Sequence, residues 1–144
     1  MAALVDTNVL VYRFDPRFPE KQRRANEVLR AGIAEDSVRV AHQAIVEFVA
    51  AATRSIPGGE PILAPEVARR EAEEMLSQLE VLYPTESLVR TALRGAAAYQ
   101  LSWCDAHMWA YAEHYGLSEI LSEDFQHGRL YGAVRAVDPF ATGS

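Results

Sequence analysis

The stretch Leu4-Val5-Asp6-Thr7-Asn8-Val9-Leu10 constrains the fold more than any other. An apolar run reaches an acid and two small polar residues, then turns apolar again, with no glycine and no phosphate-binding loop between. A parallel strand ends this way when it delivers one carboxylate to the edge of a sheet where a helix begins. Asp6 is therefore expected at the carboxyl edge of such a sheet, and acids at later strand-to-helix junctions would meet it there.

The rest of the chain repeats that alternation. Val9 to Phe14 reads as a short helix stopped at Asp15-Pro16, and a second helix runs from Pro19 to about Ala31 with Gly32 as its stop. Val38 to Ala41 is a strand that leads directly into a helix over Gln43 to Arg54. On that helix Ile45, Phe48, Val49, Ala52 and Ile56 share one face and Glu47 lies on the other. A loop over Ile56 to Pro61 precedes a charged helix from Pro65 to Leu79. Val81 to Tyr83 is a third strand, and Thr85 to Leu101 a helix with Leu88, Ala92, Leu93, Ala96 and Ala97 available for packing.

Ser102 and Asp105 have the spacing of a capping box and open a helix that continues to Tyr115, its apolar Met108, Tyr111, Ala112 and Tyr115 read as core. Glu119 to Ser122 is the fourth strand, followed at once by Glu123-Asp124, and Val134 to Val137 is the last. Strands alternating with helices predict one α/β domain over residues 1–140, with a central parallel sheet of four to five strands and helices on both faces. Residues 141–144 read as a short tail.

At 144 residues the chain has room for one domain with a real core. Its apolar runs fall short of the roughly 18 residues that cross a bilayer, so a cytosolic protein without membrane contact is expected. Cys104, the only cysteine, has no partner for a disulfide or a thiolate zinc site and reads as a small core residue. A net charge of −6 argues against a broad electrostatic surface for nucleic acid. A local basic patch nevertheless lies between Arg13 and Arg24.

Each acid has an ordinary explanation taken singly: Asp6 as a helix cap, Glu47 as surface, Asp105 as a capping-box member, Asp124 as a turn residue. Together they are more informative. In a parallel sheet all four project near one edge, where carboxylates about 5 Å apart at an effective dielectric near 20 repel by roughly 3 kcal/mol per pair. Such a cluster calls for a cation. Oxygen-only ligands favour Mg²⁺ or Mn²⁺ over zinc, and a hard metal on an open edge suits phosphoryl chemistry. His42, His107, His114 and His127 show no ligand spacing and read as surface or structural groups. Trp103 reads as a packed aromatic before a helix, with base stacking as the other possibility.

The segments Leu4-Val5-Asp6-Thr7-Asn8, Ile45-Val46-Glu47-Phe48, Ser102-Trp103-Cys104-Asp105-Ala106 and Leu121-Ser122-Glu123-Asp124, in this order over about residues 2–140, resemble the ordered acids of PIN-domain proteins. The likeness is to the ribonuclease toxins of VapBC-type toxin–antitoxin pairs in particular. It implies a single PIN-like domain that cuts RNA endonucleolytically with Mg²⁺ or Mn²⁺. Asp6, Glu47, Asp105 and Asp124 would then be the catalytic, metal-holding acids, supported by Thr7, Asn8 and Ser122. Either Glu123 or Asp124 could be the fourth acid; Asp124, two residues after Ser122, fits the pattern. The same resemblance implies a homodimer and a cognate antitoxin whose tail enters the acidic site.

Two other readings compete. An aspartyl phosphotransferase would use Asp6 as nucleophile, but the second acid expected two residues later is Asn8 here. A non-catalytic protein of the same fold would use the acids to bind a metal or a basic peptide.

Overall fold

A computed structural model describes residues 2–141. Strand β1 (Ala3–Val5) is followed by helices α1 (Thr7–Tyr12) and α2 (Pro19–Glu35). Next come β2 (Val38–Ala41), α3 (His42–Thr53), α4 (Pro65–Gln78) and β3 (Glu80–Leu82). Helices α5 (Glu86–Tyr99) and α6 (Trp103–His114), then β4 (Glu119–Leu121), β5 (Leu130–Tyr131) and β6 (Val134–Val137), complete the chain.

The six strands form one sheet in the order β3-β2-β1-β4-β6-β5. All neighbours are parallel except β5, which turns back antiparallel on β6. Two-residue β5 is the strand beyond the four to five expected; it pairs Leu130 with Arg135 and Tyr131 with Val134. Ala3, Leu4 and Val5 are all buried. Because consecutive strand residues point to opposite faces, β1 is covered on both sides, and the expected α/β arrangement of helices around a parallel sheet holds.

The winding fixes where a site can form. From β1 the chain builds outward through β2 and β3, then crosses to the other flank of β1 to lay down β4 and β6. That reversal makes the carboxyl end of β1 and β4 a topological switch point, the crevice where open α/β sheets place ligands. Val5 pairs with Val40 on one side and Leu121 on the other, so Asp6 and Ser122 leave the sheet side by side.

Several boundaries differ from the sequence expectation for packing reasons. Gly32 does not stop α2: the helix continues to Glu35 and ends at Asp36, in the left-handed region at φ 53°. Gly32 instead lets α2 approach β2, since a Cβ there would lie 2.5 Å from Val38 Cγ1. Helix α6 is buried over Ala106 and Met108 to Ala112 because it lies between α5 and the sheet. Tyr115, expected as core, is largely exposed and donates its hydroxyl to the Tyr83 carbonyl. Leu93 is exposed, and the inward positions of α5 are Leu88, Ala92 and Gly95. Cys104 is exposed, not core, as is Trp103 at 49%. Both sit in the first turn of α6, whose capped end faces outward. The tail expected at 141–144 lies, beyond Ala141, outside the described residues. Among the described residues no helix is long and apolar enough to cross a membrane.

Candidate active site

Asp6 takes the first position after β1 and is the N-cap of α1. Its Oδ1 accepts from the Thr7 backbone N–H at 2.7 Å and its Oδ2 from the Ser122 hydroxyl at 2.6 Å. The residue is only 5% exposed. Burial pushes its pKa up to about 7, with the charges of Asp124 and Asp105 adding to the rise and the Ser122 and Thr7 hydrogen bonds opposing it. One side chain thus caps α1 and also feels the charges of Asp124 and Asp105.

The neighbours of Asp6 tie the other acids to it. Thr7 donates its hydroxyl to Glu47 Oε1 at 2.6 Å. Glu47 reaches the same edge because α3 starts at His42 with no loop after β2, leaving the glutamate in the second turn. Asn8 donates through Nδ2 to Ser122 Oγ at 3.2 Å and to Asp124 Oδ2 at 3.0 Å. Ser122 Oγ also accepts from the Asp124 backbone N–H. One hydrogen-bonded chain thus runs from Glu47 through Thr7, Asp6 and Ser122 to Asn8 and Asp124.

Asp105 stands opposite, in the first turn of α6, where the Ser102 hydroxyl accepts from its backbone N–H at 3.1 Å. Desolvation raises its carboxyl pKa, and the charges of Asp124 and Glu47 raise it further. Of the four acids, Asp6 and Asp105 are thus held above the ordinary carboxyl range, by desolvation first and by neighbouring like charges second.

Glu123 is held differently. Its two oxygens accept from the Tyr12 hydroxyl at 2.6 Å and from Lys21 Nζ at 2.8 Å. Its charge is already matched. Among the described residues, no ion pair includes Asp6, Glu47, Asp105 or Asp124. Much of the basic patch is spent locally. Arg17 pairs with buried Asp15, Arg23 with Glu20 and Glu27, Arg24 with Glu27, and Lys21 with Glu123.

Fit to a divalent ion can be judged from the donor set. Among the described residues no three carboxylate, imidazole or thiol groups converge as they would on one ion. A hard ion such as Mg²⁺ needs fewer protein ligands, usually one or two carboxylates with the remaining positions filled by water. Four uncompensated carboxylates, oriented by neutral donors, fit that requirement chemically. Asn8 adds a buried Oδ1 with no hydrogen-bond partner, an acceptor beside the acids. A groove of about 340 Å³ lined by Thr7, Asn8, Tyr12, Arg17, Phe18 and Asp124 opens beside the cluster.

Sequence reasoning passed over Gln43, which donates to Glu47 Oε2 at 3.0 Å, and over Tyr12 and Lys21, which engage Glu123. Gln43 was within reach, since it stands four residues before Glu47 on the same helix face. Of the histidines, His107 contacts Gln43 at 2.6 Å. His127 accepts from the Asp138 backbone, and His42 and His114 lie against Tyr83 and Tyr115.

The PIN domain family model matches residues 3–133. Among curated proteins none matches the sequence. Solved structures do share the fold. A toxin–antitoxin complex from Klebsiella pneumoniae superposes with a TM-score of 0.68 at 20% identity, covering 96% of this chain and 98% of that one. FitAB bound to an IR36 DNA fragment gives 0.73 at 18% identity, with 99% and 98% covered. FitAcB from Neisseria gonorrhoeae gives 0.57 at 17% identity, with 96% and 98% covered.

Proposed function

Because the chain belongs to the PIN-domain family, a family of nucleases, we propose that it is a Mg²⁺- or Mn²⁺-dependent endoribonuclease and the toxin of a toxin–antitoxin pair. One observation carries the reading: Asp6, Glu47 and Asp124, acids without ion-pair partners among the described residues, are joined by neutral hydrogen-bond donors at the switch point of the sheet, near enough to Asp105 for its charge to act on Asp6. That arrangement orients the carboxylates without spending a cationic side chain on them. Asp6, Glu47, Asp105 and Asp124 hold the metal, and Thr7, Asn8 and Ser122 keep the carboxylates aimed. When bound, the metal supplies an activated water and positive charge for the phosphate oxygens. It also supplies the attraction for a polyanion that a chain of net charge −6 lacks.

The fold neighbours that are toxin–antitoxin complexes support an antitoxin partner. An acidic cluster in which, among the described residues, no carboxylate is ion-paired would take a basic tail from such a partner, blocking metal and RNA together. A homodimer fits the exposed Val46 on α3 and Leu76 on α4, helices that pack against each other. A cytosolic setting fits both an RNA substrate and a protein antitoxin. The phosphotransferase alternative loses ground because both oxygens of Asp6 are engaged and the group is buried, which suits an oriented ligand better than a nucleophile.

The test is cleavage of a mixed RNA pool by the purified chain with sequencing of the new ends. Cleavage is expected with added Mg²⁺ or Mn²⁺ and is expected to stop in excess chelator. Cleavage that persists in chelator would defeat the proposal. Thermal stabilisation by Mn²⁺ without any cleavage would transfer support to a non-catalytic metal-binding protein.

A further inference from the structure

Glu47, like Asp6, accepts a neutral donor on each oxygen, and one of its donors, Gln43, is in turn met by a histidine. Its Oε1 accepts from the Thr7 hydroxyl at 2.6 Å and its Oε2 from Gln43 Nε2 at 3.0 Å. The same Gln43 nitrogen lies 3.3 Å from the Cys104 carbonyl oxygen, so both of its hydrogens have acceptors. Rotating the amide by half a turn would set Gln43 Oε1 against a carboxylate and a carbonyl, two groups that cannot donate. The amide orientation is therefore determined by its surroundings.

The orientation fixes the next group. Gln43 Oε1 faces His107 Nδ1 at 2.6 Å, and an amide oxygen only accepts, so Nδ1 must carry the proton. The ring cannot easily turn away, since Trp103 lies against it at 5.8 Å between centroids and Tyr111 meets it edge-on at 5.5 Å.

We propose that Gln43 and His107 are positioning residues that hold Glu47 for a divalent cation through a chain in which His107 Nδ1–H donates to Gln43 and Gln43 donates to Glu47. The proposal rests on Glu47 belonging to the metal-holding set. Its chemical content is that both donors on Glu47 are neutral. They fix the carboxylate plane and leave one lone-pair direction on each oxygen, while the negative charge remains for the ion. Glu123, matched by Lys21, shows the opposite treatment. Outer partners of this kind commonly control metal affinity by about 10–100-fold.

Two measurements on metal-free, full-length protein test it. Long-range ¹H–¹⁵N spectra at pH 8, where a neutral ring is expected, report the tautomer of each of the four histidines, with His107 assigned by its loss in His107→Asn. The Nδ1–H form is expected for His107, and Gln43→Leu is expected to abolish that preference. Calorimetric titration with Mn²⁺ alone then compares variants. Gln43→Leu and His107→Leu should weaken binding about tenfold or more. His107→Asn, whose Nδ2–H can stand where Nδ1–H stood, should restore it; a purely structural role for the ring would not be rescued this way.

A wild-type Nε2–H tautomer would overturn the positioning role and leave the site reading intact. Unchanged Mn²⁺ affinity in Gln43→Leu, with loss of affinity in Glu47→Gln, would do the same. Unchanged affinity in Glu47→Gln itself would overturn both together.

Discussion

Asp6 performs two tasks that make opposite demands on its charge. As the N-cap of α1 it gains from the helix N-terminus, while as a buried member of an acid cluster it is repelled by Asp105 and Asp124. Asparagine can still cap the helix but cannot supply the charge. Asp6→Asn should therefore lower metal-dependent cleavage at least a hundredfold, while the metal-free variant melts no lower than wild type at pH 8; circular dichroism melts and cleavage rates check both. Glu123→Gln is the matched control. It loses a partly exposed pair with Lys21, a change of about 1 kcal/mol or less, and should retain activity within a few-fold, whereas Asp124→Asn should not. Residues of this kind were legible in the sequence to the extent that their logic is one-dimensional. Asp6, Glu47, Asp105 and Asp124 stand at strand ends or helix starts, positions that a linear pattern marks. Gln43 pairs with His107 across 64 residues, and no local pattern marks that contact. Cys104 was misplaced because cysteine is usually buried, and only the tertiary position of the α6 N-terminus shows that its first turn faces solvent.

At the scale of elements, two glycines set how closely helices approach their neighbours. Gly95 on α5 faces the Trp109 ring on α6, where a Cβ would collide with the indole edge. Trp109 cannot swing aside freely, because its indole N–H donates to the Tyr131 carbonyl at 2.9 Å. Gly95→Ala should thus destabilise the protein by about 1–3 kcal/mol despite alanine's better helix propensity. Gly59, whose Cβ position meets nothing within 4 Å, should tolerate alanine within about 0.5 kcal/mol. Denaturant melts of the two variants provide the comparison. This packing role also explains the misreading of Gly32. A glycine near a helix end usually signals the stop, yet here α2 needs it for contact with Val38 and ends instead at Asp36. Helices and buried strands were otherwise legible from their periodicity. Strand β5, two residues long, has no period to read and exists only because β6 offers it an edge.

For the whole molecule, sheet winding and acid chemistry meet in the pH dependence of stability. The order β3-β2-β1-β4-β6-β5 could not be read from the sequence, which shows alternating strands and helices but not which strand returns to the far side of β1. Once it does, Asp6 is buried among like charges, and its folded pKa of about 7 stands above the ordinary carboxyl value of 3.8. Between those values the native state binds more protons than the unfolded chain, so this carboxyl's contribution to stability falls as pH rises from about 4 to about 7 and stays low above that. Asp105, also raised, acts in the same direction. His107, its pKa lowered by burial, acts oppositely below 6.5, and Asp15, lowered by Arg17, acts oppositely only below 3.8. Absolute stability therefore mixes signs, whereas the response to metal does not: an ion binds the ionised carboxylates and must displace the protons that hold Asp6 neutral. The melting-temperature gain from a fixed excess of Mn²⁺ should be small at pH 5.5 and large at pH 8, and in Asp6→Asn it should lose most of its pH dependence. Differential scanning calorimetry of both proteins at the two pH values measures it directly. A gain equal at both pH values in the wild type would show that the ion does not compete with the proton on Asp6, and would place the metal elsewhere on the molecule.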